Sequence, residues 1–512
     1  MTKNELNGNT KECDDELSKE LTKQVAKGGG ITLFGRVGGK VIKFVFQIFL
    51  TRILGASAYG LYSLGYTVLG MSNRFSQLGL NNGVVRFGSM YRGEEDEARL
   101  KGTLLISLTL SFLAGIVIAV LLFLFARPIS ITVFNFPELV PVLRLFSISL
   151  PFYTLMFISA HSARIFRKMQ YDVGVRLILH PLALIFFSGI AFLLGYQLSG
   201  VIYGFLSSSV LSAAVGFYLV VRLFPELTSG LEPEFEFRRI LSFSFTVLLT
   251  GLSGLLIMRV DRIMLGILST AKNVGIYNAA SVMAGQMTIF LGSMNAIFSP
   301  IISDLHNKEN IAELEQLFKI VTKWIFTLTF PIFLTFLLFS RPIMGLFGPE
   351  FRVGWVVLQG LVFAQLINAS VGSSGFMLNM TGHQKIELGN NLVLGMLNVS
   401  LNYLLIPRFG IIGAAIATGS ALALVNLARL VEVGYHLHFH PYKLSFWKPL
   451  FAGVSASLII VLLQNKFGLS GLRWIPGAVL VIIIYIFLLI MLGLDEEDEL
   501  VIGVIKRKLS NI

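Results

Sequence analysis

About fourteen apolar runs of roughly twenty residues, separated by short charged or Gly/Pro-containing breaks, leave this 512-residue chain few ways to fold. They lie near 31–53, 57–83, 102–125, 139–162, 173–195, 199–221, 240–260, 275–300, 318–340, 354–378, 388–406, 411–433, 446–464 and 473–493. A helix of that length, rising about 1.5 Å per residue, crosses about 30 Å of hydrocarbon. With 54% hydrophobic and 14% charged residues, a soluble domain is excluded. The alternating-polar strands of about ten residues that a membrane barrel requires do not appear. The expected class is an all-α polytopic membrane protein.

The start, MTKNELNGNTKECDDELSKELTKQ, is polar and carries no signal-peptide core, so it reads as a soluble tail. With that tail in the cytoplasm, VRFGSMYRGEEDEARLK, ARIFRKMQYDVGVR, VRLFPELTSGLEPEFEFRR and the terminal KRK fall inside. Inside connections then hold about twice as many Lys and Arg as outside ones, which places both termini in the cytoplasm. The net charge of +12 is therefore mostly topology, and without a basic soluble domain no nucleic-acid partner is expected. Cys13 is the single cysteine, which excludes an intramolecular disulfide and a CxxC metal site; no cofactor or metal is expected.

An internal repeat organises the chain. TRILGASAYGLYS matches DRIMLGILSTAKNVGIYNAA, aligning Arg52-Ile53 with Arg262-Ile263 and Tyr59-Gly60-Leu61-Tyr62 with Val274-Gly275-Ile276-Tyr277. At the same offset of about 210 to 215 residues, ARPIS matches SRPIM, Gln170 falls opposite Gln384, and SGVIYGFLSSSV matches FGIIGAAIATGS. The offset spans six helices, an even number, so the copies are parallel repeats, an architecture used by transporters. The expected division is a cytoplasmic tail at 1–28, an N-lobe of helices one to six at 29–225, and a C-lobe of helices seven to twelve at 226–440. Two further helices at 441–494 and a cytoplasmic tail at 495–512 complete it.

DRIMLG followed by VGIYNAA, RPIMGLFGPEF and GIIGAAIATGSALA carry a resemblance to a known family. Over about residues 28 to 494 the chain resembles the polysaccharide-export branch of the multidrug/oligosaccharidyl-lipid/polysaccharide (MOP) exporter superfamily, the flippases for lipid-linked oligosaccharides. That resemblance implies two six-helix lobes working by alternating access.

Ionisable residues inside the membrane need a partner, a wet cavity or an exit to the interface. Arg36, Lys40, Lys43 and Gln47 fall within a stripe about 60° wide on the first helix. Two readings stand: a cationic face toward a cavity, or lysines and arginine snorkelling to the headgroups. Starting the helix only after Lys43 leaves about 12 residues, too few to span, which favours the cavity. Arg74, beside Asn73 on the second helix, completes a candidate diphosphate site of Arg36, Lys40, Lys43 and Arg74. Arg grips phosphate as a bidentate fork and Lys as a point charge.

On the eleventh helix Gln384, Asn391, Asn398 and Asn402 share one face. Their amides suit sugar hydroxyls or hydrogen bonds between helices, and both readings stand. Asn391, Asn398, Asn402 and Gln47 are the candidate sugar contacts. Arg259, Asp261 and Arg262 form a candidate ion pair or outer gate.

The leading reading is a flippase that moves a polyprenyl-diphosphate-linked oligosaccharide from the cytoplasmic to the outer leaflet of the plasma membrane. It is a transporter and not an enzyme. Its partners are that lipid-linked oligosaccharide, membrane lipids and glycan-assembly enzymes, with a Na⁺ or H⁺ coupling ion unassigned. The alternatives are a multidrug or cation antiporter of the same superfamily, disfavoured by the scarcity of intramembrane carboxylates, and a membrane glycosyltransferase or polymerase, disfavoured by short outside loops.

Overall fold

The computed structural model describes residues 38–166, 168–251, 259–463, 474–493 and 495. Among them every regular element is a helix. Eleven described stretches are long and apolar enough to cross a membrane. The chain is a multi-pass, all-helical membrane protein. Arg36 and, apart from Asp495, the two expected tails lie outside the described residues.

The chain forms two compact units, Met1–Leu54 with Leu64–Leu255, and Gly55–Ser63 with Leu256–Ile512. The first contains most of α1 (Lys3–Gln77, described from Gly38 onward), α2 (Leu80–Gly93), α3 (Glu97–Pro128), α4 (Leu139–Ser162), α5 (Met169–Val173), α6 (His180–Leu193), α7 (Leu198–Leu223) and the first part of α8 (Phe237–Leu268). α3 starts where Asp96 accepts a hydrogen bond from the Arg99 backbone N–H at 2.9 Å, satisfying one of the free donors of the first turn. Leu80, Phe87, Leu104, Ile158, Val220 and Ile240 form an apolar cluster among α2, α3, α4, α7 and α8.

The stretch between α7 and α8 is tied down by charge. The buried Lys101 donates through Nζ to Ser229 O at 2.7 Å and Leu231 O at 3.0 Å. Arg99 pairs with Glu234 at 3.1 Å, and Tyr91 donates to Glu236. That bond, with Arg239 and Arg99 nearby, holds the Glu236 carboxyl below its usual range.

The second unit holds the rest of α8, α9 (Ala271–Ala284), α10 (Thr288–Asn307), α11 (Ile311–Leu338), α12 (Ser340–Gly345), α13 (Trp355–Val371), α14 (Ser374–Met380), α15 (Gln384–Leu437), α16 (Trp447–Phe467) and α17 (Trp474–Met491). Phe298, Ile302, Phe318, Met377, Val433 and Phe439 pack together in it. α17 docks on α11, where Tyr485 donates to Thr327 O at 3.0 Å. Asp495 joins Lys323 of α11 at 2.5 Å and Lys448 of α16 at 2.7 Å.

Two helices are broken where the apolar runs meet: α1 at Gly55 (φ 71°) and α15 at Gly410 (φ 57°). Positive φ costs glycine little and other residues more, so these are natural break points. Just past the first break, Gly55–Ser63 belongs to the second unit. Ala56 N–H donates to Glu350 Oε2 at 3.0 Å, and Tyr59 OH accepts from Asn278 Nδ2 at 2.5 Å. Gly60 and Gly275, aligned by the repeat, lie at one close crossing. A Cβ on Gly60 would lie 1.8 Å from Ala271 O, and one on Gly275 would lie 2.1 Å from Ala56 O.

Candidate functional site

In the first unit Lys40 and Lys43 are exposed on α1, Gln47 is half-buried, and neither lysine forms an ion pair among the described residues. Arg74 is exposed near the end of α1, while its neighbour Asn73 is buried and accepts from Thr154 Oγ1 of α4 at 3.0 Å. Arg74 lines a cavity of about 340 Å³ together with Gln77, Asn81, Asn82, Thr246 and Thr250; Lys40 and Lys43 are not among its described lining residues. The candidate diphosphate residues therefore occupy two described places: a lysine pair on the first apolar run of α1, and Arg74 at the junction of α1 with α2.

Both units bury a carboxylate gripped by arginine. Asp172, 3% exposed, accepts from Arg164 Nη2 at 2.6 Å and Arg176 Nε at 2.5 Å, with His161 Nδ1 at 4.0 Å. In the second unit Glu387, 7% exposed, accepts from Arg429 Nη2 at 2.5 Å and Nε at 2.9 Å. Asn391 joins this pair, donating to Glu387 at 3.0 Å and accepting from Arg429 at 3.1 Å. Next to it Asn390 donates to Glu432 at 2.5 Å.

The other amides of α15 turn to a deeper network. Asn402 Nδ2 donates to Asn398 Oδ1 at 2.6 Å, and Asn398 Nδ2 donates to Thr418 Oγ1 at 3.3 Å. Tyr277 OH lies 3.2 Å from the same Thr418 oxygen and donates to Asp261 Oδ2 at 2.6 Å. Asp261 Oδ1 accepts from the Arg262 backbone N–H at 3.2 Å. One polar chain thus links α8, α9 and both parts of α15. Asn402 Oδ1 and Arg262 Nε are buried in it without partners among the described residues. Arg259 is half-buried nearby in sequence, and Gln384 is exposed at the start of α15.

Sequence reasoning gave no functional role to Tyr277, Thr418, Glu350 or Gln77. The first three lie in the motifs VGIYNAA, GIIGAAIATGS and RPIMGLFGPEF, which drew attention as repeat and family signatures. Their polar members, set among glycines and apolar residues, were the available signal. Gln77 carried none, being one amide within an apolar run.

Residues 25–306 match the model of a family described as polysaccharide biosynthesis protein. Over 280 residues the chain is 27% identical to the probable low-salt glycan biosynthesis flippase Agl15 of Haloferax volcanii, covering 53% of this chain and 56% of that protein. It is 26% identical over 218 residues to the uncharacterized membrane protein MJ1068 of Methanocaldococcus jannaschii, covering 42% and 43%. The match thus spans about half the length of these curated relatives or less. Among solved structures, the lipid II flippase MurJ in an inward closed conformation shares the fold at a TM-score of 0.67 and 16% identity, covering 90% of this chain and 98% of that one. An inward-facing multidrug resistance MATE family transporter of the MOP superfamily does so at 0.65 and 15%, covering 78% and 94%. A family match across more than half of the chain agrees with the motifs: the protein belongs to the polysaccharide biosynthesis protein family.

Proposed function

We propose that this protein is a flippase that carries a polyprenyl-diphosphate-linked oligosaccharide from the cytoplasmic to the outer leaflet of the plasma membrane by alternating access. The product serves polysaccharide or glycoconjugate assembly, alongside glycan-assembly enzymes. The observation that carries the reading is the pair Lys40 and Lys43, exposed in an apolar helix with no carboxylate paired to either among the described residues. A cation held in hydrocarbon costs about 2.5–3.5 kcal/mol on the mild insertion scale, and an anionic headgroup offsets that cost. Arg36 and the amide of Gln47 complete the proposed headgroup and sugar contacts on the first apolar run of α1, and Arg74 marks a second place for the headgroup at the junction of α1 with α2.

The buried acids support an anionic cargo. Asp172 and Glu387 are held by arginines and Asp261 by Tyr277, so a cationic drug would have to displace existing donors. The glycan-flippase description of the Haloferax relative points the same way. On this reading the protein acts as a transporter.

Reconstitution into liposomes with a fluorescent lipid-linked oligosaccharide tests this. The wild-type chain exchanges the lipid between leaflets, and a Na⁺ or H⁺ gradient that accelerates exchange identifies the coupling ion. Replacing Lys40 and Lys43 together by Ala slows exchange about tenfold or more while the protein still inserts, since each lost charge-assisted contact is worth about 1.5–3 kcal/mol. Proton-driven efflux of cationic dyes without glycan exchange, or new glycosidic bonds in the product, would overturn the proposal.

A further inference from the structure

The junction of α1 and α2 is built differently from the other interruptions described above. Two consecutive residues, Leu78 (φ 50°) and Gly79 (φ 73°), adopt left-handed backbone, and α2 restarts with no side-chain cap. A Cβ on Gly79 would lie 2.0 Å from Ser244 O, so the backbone of α8 sits directly against this turn. Asn82 and Gly83 N–H both bond to Gly79 O, whereas the N–H groups of Leu80 and Asn81 have no backbone acceptor among the described residues. No acidic residue stands in the first turn of this 14-residue helix. Free first-turn N–H groups together with the helix dipole favour an anion.

A second observation is independent of the helix end. Gln77, 2% exposed, lines the 340 Å³ cavity at this junction, and neither its Nε2 nor its Oε1 has a hydrogen-bond partner among the described residues. Leaving a buried amide unpaired costs about 1–3 kcal/mol, so the side chain is placed for something that enters the cavity. Arg74 supplies the positive charge, no carboxylate is among the described lining residues, and Phe243, Val247 and Leu248 of α8 supply an apolar wall. The volume falls at the low end of the range of about 300–1,000 Å³ for small-molecule sites.

We infer that this cavity is a binding subsite for a phosphoryl group, gripped by Arg74, the Gln77 amide and the first-turn N–H groups of α2, with the group's organic portion against the α8 wall. The subsite is separate from the lysine pair, whose members do not line it. It depends on the flippase reading only for the source of the phosphoryl group, a lipid headgroup in place of a soluble diphosphate.

The test is binding of farnesyl diphosphate and of inorganic pyrophosphate to the full chain in an uncharged detergent. It compares wild type with Gln77→Met, which keeps the volume and removes the amide, and with Arg74→Gln at an exposed position. Each variant should bind farnesyl diphosphate about tenfold more weakly, the equivalent of one charge-assisted hydrogen bond. Tighter wild-type binding of farnesyl diphosphate than of pyrophosphate assigns the site to a lipid headgroup. Equal binding of the two probes, with the same losses in the variants, keeps the site and assigns it to a soluble diphosphate. Wild-type affinity in both variants, or no binding by the wild-type chain, overturns the subsite even where leaflet exchange is observed. Variant-sensitive binding without leaflet exchange overturns the flippase reading and leaves the subsite standing. Should Gln77→Met fail to fold, Arg74→Gln alone decides, since its side chain is open to solvent.

Discussion

Asp172 and Glu387 do the same work in the two units. At an offset of about 215 residues the acid and the residue four positions on, Arg176 in one copy and Asn391 in the other, both fall on repeat-related positions. In each case the i+4 side chain donates to the acid. Breaking a buried pair by removing one partner costs about 3–5 kcal/mol, because the survivor is left charged and unpaired. Glu387→Gln should therefore lower the thermal unfolding temperature clearly, whereas Glu387→Gln combined with Arg429→Met should lose less than the sum of the two single changes. Thermal unfolding in detergent, read as a double-mutant cycle, checks this.

Asp495 makes a pH-dependent version of the same argument outside the spans. Burial pushes its carboxyl up, but the hydrogen bonds from Lys323 and Lys448 outweigh burial and hold it well below the usual carboxylate range. A depressed folded value means the stabilisation is present above the unfolded value of about 3.9 and is lost as pH falls toward the folded one. Asp495→Asn should lower the unfolding temperature at pH 7, and the gap to wild type should begin to narrow below about pH 4 and close only as pH falls toward the folded value. A gap at about pH 2 as large as that at pH 7 would contradict the assignment.

Among elements, the broken helices carry the clearest lesson about what the chain reveals before it is folded. The breaks at Gly55 and Gly410 fall in the gaps between apolar runs, where a change in composition marks them. The break at Leu78 and Gly79 falls inside the run read as 57–83, because a lone glycine among Leu and Asn does not interrupt an apolar pattern. Helical phase likewise placed Asn391, Asn398 and Asn402 on one face, but a period computed on one helix cannot name what faces it. Thr418 lies across the Gly410 break and Tyr277 on α9, so their bonds to this network depend on tertiary packing. Lys40 and Lys43 are a similar case: phase sets them together, whereas their exposure without a carboxylate partner among the described residues belongs to the folded chain. At the crossing of the second part of α1 with α9, Gly60→Ala would put a methyl within 1.8 Å of a backbone oxygen. The helices would have to part, and the expected result is a sharp loss of monodisperse protein in size-exclusion chromatography, with Gly275→Ala behaving alike. Near-normal yield of either variant would contradict the crossing.

In the whole molecule, the repeat accounts for twelve of the expected helices, and α16 and α17 stand outside it. They are nonetheless tied to the second unit through Tyr485, Lys448 and Asp495. Removing everything after residue 440 would expose the aromatic surface around Phe330 and strip the buried Lys323 of Asp495. The truncated chain should unfold at lower temperature and aggregate in mild detergent, as light scattering on heating would show.

The crossing of Gly60 with Gly275 also bears on descent. Ala56 and Gly60 meet Ala271 and Gly275 in reciprocal fashion, each glycine lying against the alanine carbonyl of the other segment. Residue i touching j while j touches i is the signature of an isologous interface, the kind that two identical chains form about a two-fold axis. A duplicated segment that packs against its own copy makes a contact of this kind. Neither copy can accept a side chain at its glycine without colliding with the other's backbone, so both positions are held to glycine even where the sequences around them differ.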